Sequence, residues 1–357
     1  MRPLAVVQLL PALAGGGVER STLEIADALV VAGHRSLVVS AGGRLVAALE
    51  AGGSRHVTLD IGRKSLATLR HVRSLRALFA RERPDIVHAR SRLPAWLAWL
   101  ALRGLPAAAR PHFVTSVHGL NSPGGYSSIL TRGERVICVS DTVREHVRRH
   151  WPRTDDARVR VIENGIDLAQ FPRRADAPRA HGPWRLLLPG RGTRLKGHAA
   201  AIALLAGLRA QGTDAVLRLL GAREPGRERY LEELAREAAA RGVEAFVQVE
   251  PPTDAIAAAY READLVLQLS TQPESFGRTV LEALASGTPV CGWAQGGVGE
   301  LLARHFPAGA VPPFDAAALQ ATTLALLDEG AAPPPLQART LADMQRDTLE
   351  VYASLAG

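Results

Sequence analysis

The sequence predicts an α/β fold made of two doubly wound domains in tandem. Three observations carry this. Short apolar runs of strand length alternate with longer segments of helical period, the order expected of a mostly parallel sheet wrapped by helices. The alternation stops once, over Phe171–Gly182, which is rich in Pro, Arg and Ala and has no apolar period, and then restarts. The length of 357 residues suits two domains at roughly 100–200 residues each. Such sheets bind ligands beyond the carboxyl ends of their strands, so two in tandem are expected to face one cleft.

In the first half, Leu4–Leu10 reads as an apolar strand, Glu19–Ala32 as a helix ending at Gly33, and Ser36–Ser40 as the next strand. Ser65–Arg83 is predicted to be one amphipathic helix. Leu66, Leu69, Val72, Leu75 and Leu78 lie on one face, and Arg70, Arg73 and Arg76 on the other. Asp85–His88, Phe113–His118 and Arg135–Ser140 are further strands, and Asp141 is expected to cap the helix that follows. Asn164-Gly165 predicts a tight turn near the domain border. After the break come strand Trp184–Leu188, helix Gly197–Gln211, strand Ala215–Leu220 and helix Arg227–Ala240. Strands Phe246–Val249, Asp264–Leu269 and Pro289–Gly292 follow, and Leu336–Leu355 reads as a final helix. The expected domains are 1–172 and 183–335, with 336–357 a helix packing back on the first.

Hydrophobic residues make up 47% and charged residues 22%, which fits a globular protein with a real core. Aromatics, at 4%, are too few for a stacking platform, which argues against a nucleic acid partner. The net charge of +8 is uneven: residues 1–180 hold 27 Lys and Arg against 15 Asp and Glu, the remainder 16 against 20. A basic first half attracts phosphate or an anionic membrane surface. Only Lys64 and Lys196 are lysines. Cys138 and Cys291 sit far apart in apolar runs and read as buried thiols without metal-ligand spacing. The apolar start is interrupted by Gln8 and Pro11 and reads as a first strand instead of a secretion signal. No run approaches the ~18 apolar residues of a membrane span. The expected location is the cytoplasm, at the inner face of the membrane if the basic surface docks there.

The most informative segment is Pro273-Glu274-Ser275-Phe276-Gly277-Arg278-Thr279-Val280-Leu281-Glu282-Ala283. A strand feeding a turn and a helix start makes an anion site, because free N–H groups and the positive end of the helix dipole converge. Glu282 stands among Val280, Leu281, Ala283 and Leu284, an environment that disfavours an idle charge. A second segment, Leu188-Pro189-Gly190-Arg191-Gly192-Thr193-Arg194-Leu195-Lys196-Gly197, follows a strand. It matches neither a dinucleotide fingerprint nor a P-loop. A third, Ala14-Gly15-Gly16-Gly17-Val18-Glu19-Arg20, is a glycine-rich turn between the first strand and helix. His118 and Arg90 end two strands, and Gly296-Gly297 opens another helix.

Two glutamates eight positions apart around Ser-Phe-Gly, followed by Ala285-Ser286-Gly287-Thr288-Pro289-Val290, resemble the E-x7-E signature of family 4 glycosyltransferases. The resemblance runs along nearly the whole chain, which is similar to bacterial surface-polysaccharide and lipopolysaccharide members. It implies the GT-B fold, two Rossmann-like domains, and retaining transfer of a sugar from a nucleoside diphosphate, UDP by preference. Glu274 would contact donor-sugar hydroxyls and Glu282 the ribose. Phe276 and Gly277 would border the donor, and N–H groups near Thr279 and Val280 would hold the distal phosphate. Arg191 and Lys196 would clamp the pyrophosphate, and His118 would touch the sugar near the reacting carbon. Gly16 and Gly17 would approach the phosphate, and Glu19 and Arg90 would face the acceptor, a glycan or lipid-linked hydroxyl. No metal or other cofactor is implied. The chain departs from the family in one respect: only about fifteen residues, Gly119–Gly133, separate His118 from the next strand, which points to an abbreviated acceptor region. Two other readings share these features, a nucleotide-sugar 2-epimerase of the same architecture and a non-catalytic sugar-nucleotide or surface-lipid binding protein.

Overall fold

The computed structural model describes residues 2–174, 182–330 and 333–356. The chain forms two compact units, Met1–Gly165 with Arg339–Gly357, and Ile166–Ala338.

The first unit holds seven strands: β1 (Ala5–Leu9), β2 (Arg35–Ser40), β3 (Arg55–Thr58), β4 (Ile86–Ala89), β5 (His112–Val117), β6 (Arg135–Cys138) and β7 (Val159–Val161). They lie in the order β3-β2-β1-β4-β5-β6-β7, and every pairing is parallel. The order reverses between β1 and β4, the switch point where such sheets place ligands. Helices α1 (Gly17–Val31), α2 (Val46–Ala51), α3 (His71–Glu82), α4 (Arg92–Arg103) and α5 (Asp141–His150) connect the strands. β1 and β4 are buried along their whole length, as strands covered on both faces must be.

The second unit repeats the plan with β8 (Trp184–Pro189), β9 (Ala215–Leu220), β10 (Val247–Glu250), β11 (Leu265–Gln268), β12 (Val290–Trp293) and β13 (Ala310–Val311). Their order is β10-β9-β8-β11-β12-β13, again all parallel. Its helices are α6 (His198–Ala210), α7 (Glu228–Ala240), α8 (Ile256–Glu262), α9 (Arg278–Ala285), α10 (Gly296–His305) and α11 (Ala316–Glu329). The last helix, α12 (Leu341–Ala356), belongs to the first unit. There Met344, Val351 and Tyr352 join a core of Leu4, Val6, Ile25, Leu29 and Ile86.

Several local expectations need correction. Ser65–Arg83 is not one helix: Leu66–Arg70 is a 3-10 turn capped by the Ser65 side chain, and only His71–Glu82 is α-helical. Leu75 and Leu78 are buried, but Leu66 is 87% and Leu69 51% exposed, so the apolar face stops at the turn. Ser140, not Asp141, caps α5, its hydroxyl accepting from the Val143 N–H at 3.1 Å. Asn164-Gly165 forms no turn. Gly165 is needed for space, because a Cβ there would collide with the Thr340 carbonyl where the chain returns to the first unit. The units meet in sequence at this point, before the break at Phe171–Gly182. Residues 175–181 of that break lie outside the described residues.

α12 is tied to the sheet by a buried polar link. His88 on β4 lies 2.7 Å through Nδ1 from the Tyr352 hydroxyl and 2.5 Å through Nε2 from Ser116 Oγ. Burial holds the imidazole well below its usual pKa, with the Arg90 charge acting in the same direction, so the ring is neutral, donating through one nitrogen and accepting through the other. Tyr352→Phe removes one partner and leaves a buried ring nitrogen unsatisfied. We expect a loss of about 1–3 kcal/mol in unfolding free energy, read by chemical denaturation. An unchanged midpoint would contradict the link.

Candidate functional site

In the second unit, two loops at the carboxyl ends of β8 and β11 are locked together by glycines. Gly197 has φ +76°, and a Cβ on it would collide with the Leu269 carbonyl. The Thr271 N–H donates to the Leu195 carbonyl at 2.9 Å, fixing the same approach. These contacts hold Lys196 against the chain after β11. Its Nζ reaches Glu274 Oε1 at 2.6 Å, both side chains about one-quarter exposed. The Ser270 hydroxyl lies 2.6 Å from that same oxygen. Glu274 is held from behind as well: its carbonyl accepts from the Gly297 N–H at 2.8 Å, and it forms an isolated parallel bridge with Gly296. Gln295 Nε2 donates to the Ser270 carbonyl at 2.8 Å.

Glu274 is therefore presented with one oxygen saturated by a cation and a hydroxyl. Among the described residues its Oε2 makes no hydrogen bond. Arg191, on the same loop as Lys196, is exposed. Gly190 gives the loop room, since a Cβ there would meet the Lys196 side chain at 3.0 Å.

Gly277, in the left-handed region at φ +106°, caps α9. The Val280 N–H already donates to the Gly277 carbonyl at 2.9 Å, which corrects the expectation that it is open to a phosphate. The Thr279 N–H remains for that role. Phe276 and Val280 are buried at 4% and 0%, so only their backbones can border a ligand. Glu282, within α9, is half-buried, and its Oε2 accepts from the Tyr260 hydroxyl of α8 at 2.9 Å.

In the first unit, Gly16 caps α1, Gly17 begins it, and both are exposed; Glu19 is half-buried in the first turn. His118 follows β5 and lines a cavity of about 20 Å³ with His88, Arg90, Ser21 and Ser116. That is room for about one water molecule. Arg90 is only 4% exposed. It donates to Gln8 Oε1 at 2.9 Å and to Ser21 Oγ at 2.6 Å, so its charge ties β4 to β1 and α1 and is not presented to an acceptor.

The structure thus brings Lys196 and Glu274 into direct contact, with Glu282 on the helix that follows. Sequence reasoning missed Ser270, Gln295 and Tyr260. A hydroxyl at the end of a parallel strand was a usable signal for Ser270. Nothing local marked Gln295 or Tyr260, whose roles depend on packing between distant segments.

Residues 15–170 match the model of Glycosyltransferase Family 4, and residues 171–340 that of Glycosyl transferases group 1. A glycogen synthase of Mycobacterium tuberculosis is 31% identical over 286 residues, covering 74% of this chain and 65% of that protein. A D-inositol 3-phosphate glycosyltransferase of Salinispora tropica is 32% identical over 248 residues, covering 60% of this chain and 50% of that protein. The chain thus spans less than two thirds of the length of these two relatives. A glycosyltransferase structure from Rickettsia africae aligns with a TM-score of 0.85 at 24% identity, covering 99% of both chains. Anabaena HepE in complex with UDP-glucose aligns at 0.82 and 20% identity, covering 98% of this chain and 100% of that one. Those identities carry the fold alone. With the two family models running end to end over residues 15–340, the chain belongs to the family 4 glycosyltransferases and has their GT-B fold of two Rossmann-like domains.

Proposed function

We propose that the protein is a retaining glycosyltransferase. It moves a hexose-type sugar from a nucleoside diphosphate, UDP by preference, to a hydroxyl of a lipopolysaccharide, lipid-linked or other glycan acceptor. The observation that carries this reading is the Lys196–Glu274–Ser270 cluster at the strand ends of the second unit, next to the start of α9. Glu274 Oε2 takes a donor-sugar hydroxyl, and Glu282, braced by Tyr260, takes the ribose. Lys196 and Arg191 neutralise the diphosphate as negative charge develops on it, so the reading needs no metal. HepE, a fold relative, is a protein seen with UDP-glucose, which supports UDP as the nucleotide.

In the reaction, the bond between the anomeric carbon and the diphosphate oxygen breaks, and the acceptor oxygen bonds to the anomeric carbon on the same face. The acceptor proton passes to the departing phosphate. Within the first unit, Gly16, Gly17, His118 and Glu19 are the residues this reading assigns to the substrates. The proton NMR coupling at the new anomeric centre tests the stereochemistry. An α-linked donor gives an α-linked product; a β-linked product would overturn the mechanism.

An anionic membrane surface is the partner we assign to the basic segment before and along α3. Arg63, Lys64, Arg70, Arg73 and Arg76 are exposed there, beside the exposed Leu66 and Leu69. Cations gain about 1 kcal/mol each near such a surface, and apolar side chains can enter the headgroup layer. Among the described residues no helix is long and apolar enough to cross a membrane. Reversing Arg70, Arg73 and Arg76 to Glu is expected to lower binding to anionic liposomes in a sedimentation assay at least tenfold, on the order of 1.4 kcal/mol or more. Unchanged sedimentation would sink this assignment.

A further inference from the structure

The strands of the first sheet are all parallel, so their amino ends lie along one edge and the Gly15–Gly17 turn and His118 along the other. At the amino edge, the segment leading into β6 and the end of α5 enclose a cavity of about 670 Å³. Trp99, Arg132, His150, Trp151, Arg153 and Thr154 line it, and no Asp or Glu does. None of these residues has a part in the reaction described above.

The charge arrangement there is unusual. Arg103 and Arg132 each place the guanidinium carbon 4.7 Å from the centroid of the same Trp99 ring, and Arg132 lies 5.5 Å from that of Trp96. Arg103, Arg132 and Arg153 make no ion pair among the described residues. Stacking uses the face of a guanidinium and leaves its edge N–H donors aimed outward, the fork that fits a phosphate. Two cations on one indole repel one another, and an anion beside them offsets that repulsion. The Trp151 ring is fixed by its N–H, which donates to the Gly124 carbonyl at 3.3 Å, and by edge-on packing with His146 at 5.8 Å. A fixed indole and unpaired guanidiniums together describe a receptor for a sugar ring that carries phosphate.

We propose that this cavity is a second ligand site, separate from the donor residues, which binds a phosphorylated saccharide. The phosphate sits on Arg132 and Arg153, and the sugar lies against the Trp151 ring.

Three of the five tryptophans, Trp96, Trp99 and Trp151, are at or beside the cavity, so the full chain labelled with 5-fluorotryptophan reports on it directly by fluorine NMR. The probes are glucose 6-phosphate, glucose and inorganic phosphate. Glucose 6-phosphate is expected to bind tightest and to move the Trp99 and Trp151 signals while leaving Trp184 and Trp293 in place. Arg132→Ala with Arg153→Ala should weaken it about ten- to hundredfold, the loss of charge-assisted hydrogen bonds. Both arginines are exposed, and Arg153→Ala alone serves should the pair disturb folding. Glu274→Gln should leave this binding unchanged, which separates it from the donor site. Unaltered affinity in the arginine variants, or shifts confined to Trp184 and Trp293, would overturn the proposal. Equal affinity for inorganic phosphate and glucose 6-phosphate would overturn it too, by reducing the site to a bare anion contact.

Discussion

Glu274→Gln is expected to lower kcat/KM for the nucleotide-sugar by about 10²–10³-fold while the protein stays folded. The substitution keeps the size of the side chain and one oxygen for Ser270, so the loop after β11 keeps its shape. It removes the negative charge opposite Lys196 and the acceptor geometry at Oε2. The bound sugar loses a hydrogen bond to a charged group, worth about 1.5–3 kcal/mol, and Lys196 loses the partner that aims it. With the role proposed for Lys196 at the diphosphate, part of the loss should fall on kcat and not only on KM. Hydrolysis of the donor in the absence of acceptor measures this, with circular dichroism as the check on folding. A folded variant that turns over donor at the wild-type rate would contradict the role of Glu274.

The second large effect concerns pH. His198 begins α6 directly after Gly197 and is fully buried, its Nδ1 3.2 Å from the Tyr230 hydroxyl. Burial, with the nearby Lys196 charge in the same direction, pushes its pKa down to about 4. In the unfolded chain the ring titrates near 6.5, so below that pH the unfolded state binds a proton that the folded state refuses. The stability of the second unit is therefore unaffected by His198 above about pH 6.5. It falls as pH drops, and the loss is complete near pH 4. Across that window the cost is on the order of 3 kcal/mol at ~1.4 kcal/mol per pH unit. His198→Gln abolishes this titration. Between pH 7 and pH 4 the wild type should lose about that much more unfolding free energy than the variant. Parallel pH profiles for the two proteins would contradict the assignment.

The architecture was legible in the sequence because parallel strands buried on both faces leave nearly continuous apolar runs. Ala5–Leu9, Ala215–Leu220 and Leu265–Gln268 all lie inside segments their composition marks. What escaped were elements without that signature. β3 (Arg55–Thr58) is an edge strand with exposed ends and one aliphatic residue, and β13 has two residues. The helix expected over Ser65–Arg83 failed for a related reason: its apolar period continues into Leu66 and Leu69, which have nothing to pack against. Periodicity shows which residues share a face, not whether a neighbour covers it.

At the site, the strand, turn and helix around Glu274 and Glu282 were legible locally, and the family resemblance supplied their roles and marked Arg191 and Lys196. The direct Lys196–Glu274 contact joins loops 78 positions apart and depends on Gly197 fitting against Leu269, which no local pattern displays. Arg90 shows the opposite case. Its place at a strand end suggested a ligand contact, but Gln8 within β1 and Ser21 on α1 take its donors. Val280 likewise lost its expected part because the first turn of α9 closes on Gly277.

In the function proposed above, the second unit holds a nucleoside diphosphate sugar through Lys196, Arg191, Glu274 and Glu282. A thermal-shift titration with UDP-, GDP- and ADP-sugars tests it most directly. A nucleotide at 100 times its Kd raises the unfolding free energy by about 2.7 kcal/mol, enough for a clear rise in Tm. Such a rise is expected with one nucleotide class, UDP first, and is expected to be lost in Glu282→Ala and Lys196→Ala. No stabilisation by any nucleotide, or stabilisation that survives both substitutions, would contradict it.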